Sequence, residues 1–205
     1  MLRRDIICAL VEEIPVSRGY NFSAGPAALP EDVLREAQAD LLEWNGARAS
    51  VMEISHRGKA FVALAEEAEC DLRDLLAVPA NYKVLFLQGG ATQHFAQIPM
   101  NFARRAQAVD YVLTGDWSEK AAREAQSLAH LRIAASSAAT NYDRIPPRAG
   151  WDLDPGAAYV HVAVNETIRG VEFHDVPDVG CVPLFGDVSS TILSRPLDVS
   201  KYALL

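Results

Sequence analysis

From about Gly19 onward, apolar residues recur with two different periods separated by short turns. Pro30 followed by Glu31 and Asp32 is a favourable helix start, because proline lacks an N–H that would otherwise go unpaired and acidic side chains suit the positive end of a helix dipole. Leu34, Ala37, Leu41 and Trp44 then recur at helical spacing until Asn45-Gly46, so an amphipathic helix is expected there. A second helix is expected over 59–77, where Phe61, Leu64, Ala65, Ala68, Leu72 and Leu75 share one face and Pro79 ends the pattern. The short, wholly apolar run at 84–87 reads as a strand buried on both faces, and 111–113, 159–164 and 182–185 repeat that pattern. Gly89-Gly90 leads the first of these through a tight turn into another helix, and a polar helix over 118–129 separates the next two. This alternation predicts the α/β class, with a mainly parallel sheet flanked by helices. Residues 140–156, containing Pro146-Pro147 and Pro155, are expected to form a surface loop.

Composition narrows the function classes. The 205 residues are 50% hydrophobic, which is enough for one large domain, or one plus part of a second, with a sizeable core. A formal net charge of −8 and the lack of a basic stretch argue against nucleic acid as a partner. Cys8, Cys70 and Cys181 form no close pair and share no ligand spacing with histidine, so neither a disulfide framework nor a metal site is expected and a reducing cytoplasm fits best. The apolar run 6–11 follows Arg3 and Arg4 but is cut off by Glu12 and Glu13, too short for a membrane span or a signal peptide. Residues 1–19 are therefore read as an N-terminal extension to a soluble protein, and 20–205 as the folded part.

Ligands of open α/β sheets bind beyond the carboxyl ends of the strands. After the first apolar run comes Gln88-Gly89-Gly90-Ala91-Thr92, where small residues let the N–H groups of a helix N-terminus approach an anion such as phosphate; a plain strand-to-helix turn is the alternative. Thr114-Gly115-Asp116-Trp117 places an indole at the same edge, either to stack on a planar ring or to pack in the core. Asn165-Glu166-Thr167 follows the third run. Asp187 follows the fourth, where an acidic group needs a cationic or hydrogen-bonding partner: a protonated pyridine nitrogen is one, and the N-terminus of a following helix is another. Arg57, in Ser55-His56-Arg57-Gly58-Lys59, has a planar fork suited to a carboxylate, and a solvated or capping charge is its alternative role. His94, His130, His161 and His174 show no ligand spacing and read as surface or core histidines.

Five segments together resemble the phosphoserine aminotransferase family. They are Asn21-Phe22-Ser23-Ala24-Gly25-Pro26-Ala27, Ser50-Val51-Met52-Glu53-Ile54-Ser55-His56-Arg57-Gly58-Lys59, Gln88-Gly89-Gly90-Ala91-Thr92, Asn165-Glu166-Thr167-Ile168 and Ser189-Ser190-Thr191-Ile192-Leu193-Ser194-Arg195-Pro196. The resemblance runs from about Tyr20 to the end and implies the large domain of a fold-type I pyridoxal 5′-phosphate (PLP) enzyme. It implies a cytoplasmic homodimer that moves an amino group between glutamate and 3-phosphooxypyruvate in serine biosynthesis, with a related role in pyridoxine biosynthesis in some members. Carried over by position, Ala91 and Thr92 would hold the cofactor phosphate and Trp117 would stack on the ring. Thr167 would bond the phenolic oxygen, Asp187 would pair with the ring nitrogen, and Arg57 would bind a substrate carboxylate with His56 beside it.

The family's Schiff-base lysine lies in an Ala-Gly-Ala-Gln-Lys segment that, by the family's spacing, begins just beyond Leu205; Lys201 stands where members carry an ordinary basic residue. No catalytic residue is therefore assigned within the chain, and the chain is expected to be the N-terminal part of such an enzyme and inactive by itself. A non-catalytic chain that pairs with a complementary fragment or a full-length subunit is the alternative, as is another small-substrate PLP aminotransferase of the same fold. An incomplete large domain is expected to expose apolar surface.

Overall fold

The computed structural model describes residues 18–104 and 107–205. The calls on Arg3, Arg4, Cys8 and the apolar run 6–11 lie outside the described residues. The described residues fall into two compact units that divide between Val51 and Met52.

In the first unit, α1 (Glu31–Ala39) begins at Pro30 as expected, with Glu31 and Asp32 in its first turn. It is shorter than the sequence pattern suggested. Leu41 and Trp44 lie beyond its end, where Asn45 (φ 52°) and Gly46 (φ 74°) turn the chain in the left-handed region and Ala47 N–H donates to Trp44 O at 2.9 Å. None of its residues is buried.

In the second unit, α2 (Lys59–Leu75) and α3 (Gly90–Phe102) precede a four-stranded sheet. The strands are β1 (Ala108–Leu113), β2 (His130–Ser136), β3 (Val160–Ala163) and β6 (Leu184–Asp187), with α4 (Asp116–Gln126) between β1 and β2. Their order is β2-β1-β3-β6 and each neighbouring pair is parallel, so the expected class holds. A small antiparallel hairpin, β4 (Asn165–Glu166) and β5 (Val171–Glu172), follows β3.

The period of two along the strands divides the core. Val112, Val160, Val162 and Leu184 face one side, packed with Trp151, Phe173 and Tyr202. Val109, Tyr111 and Phe185 face the other, beneath Phe95 and Ile98 of α3 and Ala121, Ala122 and Ala125 of α4. Trp151 lies in the irregular stretch 140–156 but is buried, its Nε1–H donating to Pro146 O at 3.0 Å, so that stretch is anchored to the core rather than free on the surface.

Two further expectations need correction. Strand β2 was not anticipated, because its sequence His130-Leu131-Arg132-Ile133-Ala134-Ala135-Ser136 lacks the continuous apolar run of a central strand; it is an edge strand with Ala134 alone fully buried. Conversely, residues 84–87 are wholly apolar but form no strand, with Leu85, Phe86 and Leu87 left 70%, 65% and 59% exposed. Apolarity specifies that a segment favours burial, whereas a strand also needs a neighbour to complete its hydrogen-bond ladder, and none among the described residues pairs with this one. Tyr82, just before it, donates its hydroxyl to Tyr202 O at 2.7 Å, beside the short parallel bridge between Phe185 and Leu204.

Candidate functional site

The chain leaves β1 in one direction, to β2, and returns to add β3 on the opposite side of β1. That reversal opens a crevice at the carboxyl ends of β1 and β3, the usual ligand position in such sheets. Glu166, from the hairpin after β3, reaches across it. Its carboxylate accepts the backbone N–H groups of Trp117 and Ser118, each at 2.9 Å, and the Thr114 hydroxyl at 3.4 Å. Glu166 is 0% exposed, and it is tolerated there because it caps the positive end of α4 and satisfies otherwise orphaned donors. Ser118 Oγ completes the turn by accepting from Thr114 N–H (2.9 Å) and Gly115 N–H (3.1 Å).

These bonds place Trp117 on the first turn of α4 with its Nε1 buried and without a hydrogen-bond partner. Across from it, α3 begins at Gly90 after Gly89, whose φ of 105° favours glycine. Ala91 and Thr92 occupy the first helical turn, whose N–H groups lack intrahelical acceptors. Lys120 of α4 joins the two helices: its Nζ donates to Thr92 Oγ1 at 3.0 Å and lies 5.4 Å from the Trp117 ring centre.

Asp187 ends β6 opposite Ala163, on the face of the sheet that carries Phe185 and is covered by α3 and α4. Its Oδ1 accepts from Ser189 N–H at 3.0 Å and from the Ser189 hydroxyl, while Oδ2 accepts no hydrogen bond among the described residues. Thr167 is half-buried, and its hydroxyl likewise forms no hydrogen bond among the described residues. Ala91, Thr92, Trp117, Thr167 and Asp187 thus all stand at the carboxyl edge of one sheet or on the helix turns beside it. His56 and Arg57 are exposed on the loop entering α2, and neither side chain forms a hydrogen bond or ion pair among the described residues.

Beneath Asp187 on the same face lies His161, 1% exposed, stacked on Tyr111 at 4.8 Å and edge-on to Phe95. Burial pushes its imidazole down to about 4, and the Asp187 charge opposes that shift. Because the unfolded chain binds this proton near the ordinary value of about 6.5, the neutral imidazole contributes stability above that pH and loses it as the pH falls toward about 4. Urea unfolding between pH 7 and 4 is expected to show a decline of up to about 1.4 kcal/mol per pH unit from this group. The decline should be absent in His161→Phe; an unchanged slope in that variant would assign the acid sensitivity elsewhere.

Glu166 and Lys120 were not identified from sequence. Glu166 carried a signal, since it follows an apolar strand and needs a partner just as Asp187 does; Lys120 carried none, because only the packing of α4 beside α3 brings it to Thr92.

A profile of the aminotransferase class-V family matches residues 19–204. The chain belongs to that family. Among class-V aminotransferases, the phosphoserine aminotransferases of Xanthomonas euvesicatoria pv. vesicatoria (strain 85-10) and Stenotrophomonas maltophilia (strain R551-3) are each 55% identical to this chain over 190 residues, covering 93% of it and 53% of the relative. A phosphoserine aminotransferase structure from Bacillus circulans subsp. alkalophilus superposes with a TM-score of 0.88 at 48% identity, covering 91% of this chain and 52% of that one. A PLP-bound phosphoserine aminotransferase from Trichomonas vaginalis superposes with a TM-score of 0.85 at 42% identity, covering 91% and 53%. This class-V aminotransferase chain spans about half the length of the curated relatives it matches. Among its described residues, no helix is long and apolar enough to cross a membrane and no group of three or more His, Cys, Asp or Glu side chains is placed to hold a metal ion.

Proposed function

We propose that residues 20–205 supply the N-terminal segment and most of the PLP-binding large domain of a phosphoserine:2-oxoglutarate aminotransferase. The observation that carries this reading is the gathering of an α3 N-terminus, an indole, a free hydroxyl and a carboxylate with one open oxygen at the carboxyl edge of the sheet, in a chain 55% identical to phosphoserine aminotransferases. Those groups fit PLP. The first-turn N–H groups at Ala91 and Thr92 suit its phosphate, the Trp117 ring suits its planar face, the Thr167 hydroxyl suits its phenolic oxygen, and Asp187 suits its protonated nitrogen. Bound there, the cofactor supplies the electron sink on which an amino group is carried between substrates.

The chain's own residues divide the remaining work. Asp187 keeps the ring nitrogen protonated through a carboxylate held in place by Ser189. Glu166 fixes the turn that presents Trp117, and Arg57, with His56 beside it, takes a carboxylate of glutamate or of the phosphorylated 2-oxo acid. The lysine that moves the proton belongs to the segment that the family resemblance puts beyond Leu205, so the activity is that of the whole enzyme, a cytoplasmic homodimer on the same resemblance.

The test is amino transfer from glutamate by the full-length enzyme, with 3-phosphooxypyruvate compared against its unphosphorylated counterpart. Strong preference for the phosphorylated acceptor is expected, and equal rates would sink the assignment of substrate. In the 205-residue chain, borohydride reduction in the presence of PLP is expected to label no lysine specifically, and a unique adduct on Lys201 would overturn the placement of the reactive lysine.

A further inference from the structure

A cation at the N-terminus of a helix is electrostatically misplaced, because that end already carries partial positive charge. Lys120 is in that position: its ammonium is 3.0 Å from Thr92 Oγ1, on the first turn of α3. No carboxylate pairs with it among the described residues. On its own helix Asp116 is committed to Arg169 and Glu119 to the Tyr142 hydroxyl, and Glu124, one turn further on, forms no ion pair with it among the described residues. The Trp117 face, 5.4 Å away, offers it only a weak attraction at such a half-exposed position. A positively charged helix end and an unneutralised ammonium sharing one hydroxyl are accounted for by an anion that both would contact.

Resting on the cofactor reading above, we propose that Lys120 is a ligand of the cofactor phosphate, a cation delivered from α4 to the α3 N-terminus beside Ala91 and Thr92. The turn at Gly90-Ala91-Thr92 contains no basic residue of its own, so the charge that neutralises a dianion comes from the neighbouring helix. Lys120 thereby joins the phosphate end of the site to the ring end, because the same side chain lies over Trp117.

The experiment is calorimetric titration of the 205-residue chain and of Lys120→Met and Lys120→Arg with three probes: PLP, pyridoxal lacking the phosphate, and inorganic phosphate. Lys120→Met is expected to weaken PLP and inorganic phosphate about tenfold, the loss of one charge-assisted hydrogen bond, and to leave pyridoxal unchanged. Lys120→Arg is expected to recover part of the loss, and the gap between the wild-type chain and Lys120→Met should narrow as salt is raised. Without ligand, Lys120→Met should be no less stable to urea than the wild type, since it removes a cation from a positive helix end; a merely structural lysine would instead cost stability and leave binding intact. Equal PLP affinity in the wild type and Lys120→Met overturns the role of Lys120 while the cofactor reading stands. An equal loss for pyridoxal, or a borohydride adduct on Lys120, overturns it as well, because either outcome puts the ring or its aldehyde at Nζ in place of the phosphate. If neither the wild-type chain nor the full-length enzyme binds PLP or phosphate, the cofactor reading falls and the inference with it.

Discussion

Asp187→Asn in the full-length enzyme is expected to lower amino transfer by about 100- to 1,000-fold, the scale on which loss of one well-placed electrostatic partner is felt in an active site. The substitution is nearly isosteric. The Asn carbonyl oxygen still accepts from the Ser189 N–H and hydroxyl in place of Oδ1, and the strand register of β6 against β3 does not depend on the side chain. The oxygen that changes is Oδ2, which accepts no hydrogen bond among the described residues and is the one left for a protonated ring nitrogen. Stability to urea should therefore move by less than about 1 kcal/mol while activity collapses. Full activity in Asp187→Asn would remove Asp187 from the ring-nitrogen role, and a parallel loss of folding would make it a structural carboxylate.

Glu166→Ala is expected to destabilise the chain by about 2–4 kcal/mol. Two backbone N–H groups at the start of α4 and the Thr114 hydroxyl lose their acceptor in a site closed to water, and each buried donor left unpaired costs about 1–3 kcal/mol, partly recovered by relaxation. Glu166→Gln keeps one acceptor oxygen and should lose about half as much. Gly115→Ala approaches the same fault from the other side, since a β-carbon there would stand 2.6 Å from the Glu166 side-chain carbon Cδ and push the carboxylate off its donors. Urea midpoints followed by tryptophan fluorescence measure all three. A loss under about 0.5 kcal/mol in Glu166→Ala would show that α4 is held by its alanine face on the sheet and not by this cap.

Legibility in the sequence followed physical locality. The helix over 59–75, a helix after Gly89-Gly90 and the strands β1, β3 and β6 were readable because a helical face or a short, mainly apolar run depends on near neighbours in the chain. The strand ends carrying Trp117, Thr167 and Asp187 were readable for a related reason, since polar residues directly after buried strands stand at the sheet edge, whereas Thr92 lies on the first turn of α3 after a run that forms no strand. Edge strand β2 was not readable: half-exposed strands lose the apolar signature, and the pairing of Ala108 with His130 through Leu113 with Ser136 supplies what the pattern lacks. Residues 84–87 show the converse, an apolar signature with no partner among the described residues.

The sequence by itself determined the α/β class, the approximate positions of the buried strands β1, β3 and β6 and the residue types at their carboxyl ends, because each is dictated by spacing along the chain. Only the tertiary structure decided that β3 returns on the far side of β1, that Glu166 spans the resulting crevice to cap α4, and that Lys120 meets Thr92. The reason is physical: a buried carboxylate and an unneutralised ammonium find their partners 48 and 28 residues away through the packing of elements, and no period along the chain encodes that meeting.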